Sequence, residues 1–159
     1  MRITISCVCK IKEKYFKDAI EEYSKRLSRY CKLNILEVAD EKTPEGGSEA
    51  MEEIIKEKEG ERLLKTFRED AYIIALAIEG EMLDSIKLAE KMESLAVQGN
   101  SHIQFVIGGS LGLHKKVLDR ADRKLSFSKM TFPHQLMRVI LLEQIYRSYR
   151  IINKEPYHK

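Results

Sequence analysis

The sequence predicts an α/β fold, a mostly parallel sheet flanked by helices, on three observations. Five short apolar runs recur along the chain, at residues 2–9, 33–39, 71–78, 102–107 and 123–127. Helical patterns with one-sided apolar spacing separate them, the alternation that builds parallel pairing. The fourth run ends in Gly108-Gly109, a strand-to-glycine corner at which a ligand can reach bare main chain. The 159 residues fill one core and are too few for two, so residues 1–159 are read as a single domain.

The first run, Met1 to Cys9, alternates as a strand does and is too short for a secretory signal. Strand periodicity would put Cys7 and Cys9 on one face. With Cys31 they are odd in number, and C-x-C is neither a redox nor a zinc spacing, so they read as reduced core thiols. Residues 12–30 carry Tyr15, Phe16, Ala19, Ile20, Tyr23 and Leu27 at helical spacing. Asp40 to Gly47, with Pro44 and two glycines, reads as a mobile loop. Ser48 caps a charged surface helix over 48–67, whose stripe is Met51, Ile54, Ile55, Leu63 and Leu64. A third helix over 85–98 turns Leu88, Met92, Leu95 and Ala96 inward and stops at Gly99-Asn100. A short one follows at 114–121.

The last helix opens at Pro133, where a missing N–H costs nothing, and runs to Ile152. Its apolar residues cover far more than the arc of about 100° that packing on a sheet requires. Cover from a partner subunit is expected, hence a homodimer built on this helix.

Composition excludes several classes. A chain 43% hydrophobic and 33% charged is an ordinary globular protein, not a disordered one. No apolar tract reaches the eighteen residues of a membrane span, so a cytoplasmic protein is expected. The net charge of +3 hides an asymmetry: residues 37–61 carry −7, leaving +10 for the rest. Lysines and arginines gather at 10–17, 25–32, 115–124 and 147–159. They could neutralise a polyanion or merely solvate helix faces.

Gly108-Gly-Ser-Leu-Gly112 is neither the Walker loop nor G-x-G-x-x-G. Triphosphate hydrolysis and dinucleotide redox chemistry therefore lose support. The corner gains weight from Leu125 to Phe132, a loop of apolar and small polar residues leading into the last helix. Together they read as a site for a nucleoside-bearing cofactor.

These residues carry a resemblance. Lys58-Glu-Gly-Glu-Arg62, Phe105-Val-Ile-Gly-Gly-Ser110, Gly112-Leu113, Leu125 to His134, Arg138-Val139, Glu143-Gln-Ile-Tyr-Arg147 and Pro156-Tyr-His-Lys159 resemble the SPOUT-class RNA methyltransferases. More narrowly, they are similar to the ribosomal RNA large subunit methyltransferase H family, over essentially the whole chain. The resemblance implies a C-terminal trefoil knot, about residues 70–159, that binds S-adenosylmethionine. It implies methylation of N3 of a pseudouridine in large-subunit rRNA. Two positions depart from the family pattern: Cys9 stands where glycine is usual, and Glu81 where lysine is frequent.

By the same resemblance the cofactor touches Leu76, Gly108 and the run Phe127, Ser128, Lys129, Met130, Thr131 and Phe132. Tyr157 and His158 in the tail are candidates near the substrate, since a histidine can take a proton near neutral pH. Glu143 and Arg147 are spaced as a helix-surface ion pair. Alternatively, Glu143 meets the cofactor's ammonium and Arg147 the RNA, with His134 and Arg138 serving the same pocket. No metal is required. Limited contact area favours the assembled ribosome as target. The rivals are a SPOUT enzyme acting on tRNA and a non-enzymatic ribosome-binding factor.

Overall fold

The computed structural model describes residues 1–159. Five strands, β1 (Arg2–Val8), β2 (Lys32–Val38), β3 (Tyr72–Met82), β4 (His102–Ile107) and β5 (Arg123–Ser126), form one sheet. They alternate with α1 (Lys14–Leu27), α2 (Glu49–Leu64), α3 (Ser85–Val97), α4 (Lys115–Arg120) and α5 (His134–Ile152). The order across the sheet is β2-β1-β4-β3-β5, and every pairing is parallel. β1 and β4 lie centrally and are buried on both faces, and their buried polar side chains pair with one another, Thr4 with His102 and Gln104 with Ser6.

Two clusters fill the layers. Ile3, Ile5, Cys7, Phe105 and Ile107 pack against Leu27 of α1, Met92 of α3 and Leu141, Leu142 and Ile145 of α5. On the opposite face Val8, Ile73 and Val106 meet Leu63 of α2 and Val117 of α4. Cys7 and Cys9 fall in different clusters, contrary to strand alternation. The reason is local: Cys9 follows the strand with φ +76, which turns its side chain away. Both thiols are buried and unbridged.

Local signals hold where side chains act on their own backbone. Ser48 Oγ accepts from Met51 N at 3.2 Å, and Asp84 does the same for Lys87 N at 2.8 Å. Gly99 closes α3 at φ +92. Pro133 sits one position before the first helical residue, as the cap itself.

Three expectations change. α2 turns Ile55, Glu59, Gly60 and Leu63 inward, while Met51 and Ile54 are exposed. The inward face follows helical geometry through a glutamate that composition would place in solvent. In α3 it is Ala89, not Ala96, that is buried. β3 runs four residues further than expected. Leu125 pairs with both Leu76 and Glu81, so residues 77–80 arch over the edge of β5. Gly80 permits this, because a Cβ there would lie 2.7 Å from the Lys124 carbonyl carbon.

α5 lies between α1 and α3 on one face of the sheet, and none of its residues is fully exposed. Part of its broad apolar surface is met there, while Leu136, Val139, Ile140 and Ile152 stay half-buried. No helix is long and apolar enough to cross a membrane.

Candidate active site

The glycine corner lies at the carboxyl end of β4, where open parallel sheets bind ligands. Gly112 N donates to Gly109 O at 3.1 Å, with Gly112 at φ +86, so residues 109–112 fold back as a tight turn. A Cβ on Gly108 would come within 2.8 Å of the Gly112 backbone. Only hydrogen fits there, and the amide edge stays open toward the cavity.

That cavity, about 740 Å³, is walled by three segments. Leu76, Ala77 and Ile78 enter from the arch of β3, Ile107 to Gly112 from the corner, and Phe127 to Phe132, without Lys129, from the loop after β5. Pro133, His134, Gln135 and Met137 of the α5 entrance close it. The loop holds its own shape: Ser126 Oγ donates to Ser128 O at 3.1 Å, and Met130 N donates to Ser128 Oγ at 3.0 Å. Of the expected cofactor residues, Leu76, Gly108, Phe127, Ser128, Met130, Thr131 and Phe132 all line the cavity. Lys129 is exposed and points out of that set. Its neighbours Ser128 and Met130 line the cavity, Met130 from the exposed rim.

Behind the corner stands Glu59. Its side chain is 4% exposed, Oε2 accepts from Glu41 N at 3.0 Å, and Oε1 has no partner. A Cβ on Gly109 would meet Oε1 at 2.9 Å. Burial raises its pKa above the usual 4.5. Sequence reasoning missed this carboxyl as a site element, although the Lys58–Arg62 motif contained it.

At the root of α5 Arg138 is almost wholly buried. Its Nη1 donates to Glu37 Oε2 at 2.6 Å and its Nη2 to Cys9 O at 2.9 Å. It therefore ties the ends of β1 and β2 to α5 and does not line the cavity. Glu81 pairs with Arg123 of the neighbouring strand, so its charge is answered locally.

The four residues expected to act on substrate gather elsewhere. Glu143 Oε1 accepts from Arg147 Nε at 3.0 Å and from the Tyr157 hydroxyl at 3.0 Å. Arg147 Nη1 lies 3.1 Å from His158 Nδ1, and its guanidinium stacks 4.7 Å over the Tyr157 ring. Tyr157 also meets Tyr146 edge-on. A guanidinium only donates, so His158 Nδ1 accepts and carries no proton in this arrangement. Burial first, then the Glu143 carboxylate, pushes the Tyr157 phenol up to about 12. Tyr157 is thus a protonated donor at neutral pH, not a base. Glu143 faces Arg147 and Tyr157 rather than the cavity. Along the helix, Arg147 is ten residues beyond Met137, about 15 Å at 1.5 Å per residue. None of the four lines the cavity.

Comparison with known proteins agrees with this geometry. A family model described as "Predicted SPOUT methyltransferase" matches residues 1–158. Proteins named ribosomal RNA large subunit methyltransferase H from Bifidobacterium adolescentis, Clostridium novyi and Alkaliphilus oremlandii are 66%, 65% and 62% identical, each alignment covering all of both chains. A solved structure, "a probable methylase family protein" from Haemophilus influenzae Rd KW20, superposes with TM-score 0.56 at 13% identity. It covers 99% of this chain and 70% of that one, a likeness of fold. With a family match over nearly its full length and relatives above three-fifths identity, the chain belongs to the SPOUT methyltransferases, and among them to the ribosomal RNA large subunit methyltransferase H family.

Proposed function

We propose that the protein methylates N3 of a pseudouridine in large-subunit rRNA, using S-adenosylmethionine and acting on the assembled ribosome. The observation that carries this reading is the convergence of the Gly108 corner, the β3 arch and the Phe127–Phe132 loop on one cavity. The donor set fits the cofactor. Leu76, Met130 and Phe132 offer apolar flanks to an adenine, and the bare corner admits the ribose or methionyl part.

When bound, S-adenosylmethionine supplies an electrophilic methyl group on a sulfonium. The chain's residues supply position and proton management. Arg147, with N–H groups beyond those given to Glu143 and His158, would hold a base carbonyl or a phosphate, and Tyr157 stacks on it. His158 is the group able to accept the imide proton, at the Nδ1 lone pair that becomes free once the Arg147 donor leaves it for the substrate. Loss of that proton leaves a lone pair on N3 for the methyl. Glu143 keeps the donors in place.

The separation of tail and cavity along α5 supports a homodimer in which one protomer's tail serves its partner's cavity. Apolar Ile78, Met82, Ile86 and Met130, each about half exposed or more, offer a contact surface beside the cavity and the amino end of α3. The dimer would therefore bury this patch together with the outer side of α5. Lys10, Lys12, Lys25, Lys154 and Lys159 are exposed without an ion-pair partner and would meet phosphates.

The test is methyl transfer from labelled S-adenosylmethionine to intact ribosomes, separated subunits and tRNA, with the modified base identified by mass spectrometry. Label on a pseudouridine of intact ribosomes is expected. Label on tRNA would assign a different SPOUT activity, and ribosome association without label would leave a binding factor.

A further inference from the structure

Cys9 holds a left-handed backbone, φ +76, that glycine would adopt without strain. The side chain makes one contact that a glycine could not. Its Sγ lies 3.1 Å from Nε2 of His134, the first residue of α5 and part of the cavity wall. The thiol has one hydrogen and two acceptors in reach, this Nε2 and the Lys10 carbonyl at 3.6 Å. The distances, 3.1 against 3.6 Å, favour Nε2.

Protonation states agree. Burial raises the Cys9 thiol above its usual 9.0, so it keeps its hydrogen. Burial, then the Arg138 guanidinium, lowers His134 below 6.5, while Asp40 and Glu13 oppose that shift from neighbouring segments. The imidazole is neutral at pH 7 and carries a single N–H. With Nε2 accepting from the thiol, that N–H is on Nδ1. Nδ1 makes no hydrogen bond within the chain, and His134 lines the cavity, so Nδ1 is the ring nitrogen free to meet a ligand.

We propose that Cys9 fixes the tautomer of His134, and that His134 thereby presents Nδ1–H as a donor to an acceptor group of the ligand in this cavity. His134 is a ligand-contacting residue on this reading, and Cys9 a positioning residue. The ligand part rests on the S-adenosylmethionine assignment, while the tautomer does not.

Two measurements test it. Imidazole ¹⁵N shifts of the wild type should report the Nδ1–H form of His134, and Cys9→Gly, which relaxes the backbone, should convert it to a mixture. Calorimetry with S-adenosylhomocysteine should show His134→Ala weakened about fivefold or more, the worth of one hydrogen bond. His134→Asn, whose amide reaches the Nδ1 position, should recover much of the loss, and His134→Gln should not. 5′-Methylthioadenosine, which lacks the amino-acid end, separates the acceptors: equal binding to wild type and His134→Ala assigns the donor to the ligand carboxylate, weaker binding to the nucleoside. An Nε2–H tautomer in the wild type, or His134→Ala binding S-adenosylhomocysteine as tightly as wild type, overturns the proposal. If the wild type itself takes up no S-adenosylhomocysteine while showing Nδ1–H, the cofactor assignment falls and the tautomer stands.

Discussion

Tyr157 donates its hydroxyl to Glu143 across 3.0 Å, fastening the chain's tail to the flank of α5 fourteen residues back. This contact fixes the ring that stacks on Arg147 and, through it, the place of His158. Tyr157→Phe keeps the stack and loses the fastening. It should cost about 1 kcal/mol of stability at most, yet lower methyl transfer at least tenfold with S-adenosylhomocysteine affinity unchanged. Matching urea curves alongside full activity would show that the tail plays no part in the reaction.

Arg138 and Glu37 form an ion pair with the guanidinium buried. Glu37→Ala leaves that cation without its carboxylate and should destabilise the protein by about 3 to 5 kcal/mol. Adding Arg138→Met should return much of that loss, because an apolar side chain needs no counter-charge. Chemical denaturation of both variants provides the measurement. A double variant weaker than the single one would mean that the bond to the Cys9 carbonyl outweighs the charge.

Glu59 holds its proton more tightly when folded than when unfolded. Stability then falls as pH rises through the window that begins near 4.5 and ends at the raised folded value. Glu59→Gln, which keeps an acceptor for Glu41 N and never ionises, should melt higher than wild type at pH 7. Below pH 4.5 the two melting temperatures should converge. A variant less stable at neutral pH would mean that the ionised carboxylate is preferred in place.

Gly108→Ala places a methyl 2.8 Å from the Gly112 backbone and must open the corner. Overpacking of this kind costs about 1 to 3 kcal/mol. Far-UV circular dichroism should change little, while binding of S-adenosylhomocysteine should weaken tenfold or more. Unchanged binding would place the ligand away from the corner.

Much of this arrangement was legible because single residues act locally. Ser48, Asp84 and Gly99 mark helix ends through their own hydrogen bonds or backbone freedom, and Phe105 to Gly112 announces a buried strand meeting a turn. Legibility failed where distant segments decide. Glu79-Gly-Glu-Met82 reads as a turn, yet it continues β3 because Leu125 offers a second pairing. Glu59 sits on a charged helix, and only the opposing Gly109 makes its position interior. On α5 periodicity showed the breadth of the apolar surface but could not say that α1 and α3 flank it. The four-residue spacing foretold the Glu143–Arg147 pair, but its contacts with Tyr157 and His158 needed the tail to fold back, which no spacing rule foretells.

The order of strands carries a consequence for synthesis. β1 leaves the ribosome first, but its second neighbour, β4, begins a hundred residues later. β5 and α5 come last, and they complete both the edge and one face of the sheet. A nascent chain therefore cannot bury its earliest strand until almost all of it has emerged, and such late, long-range closure is slow.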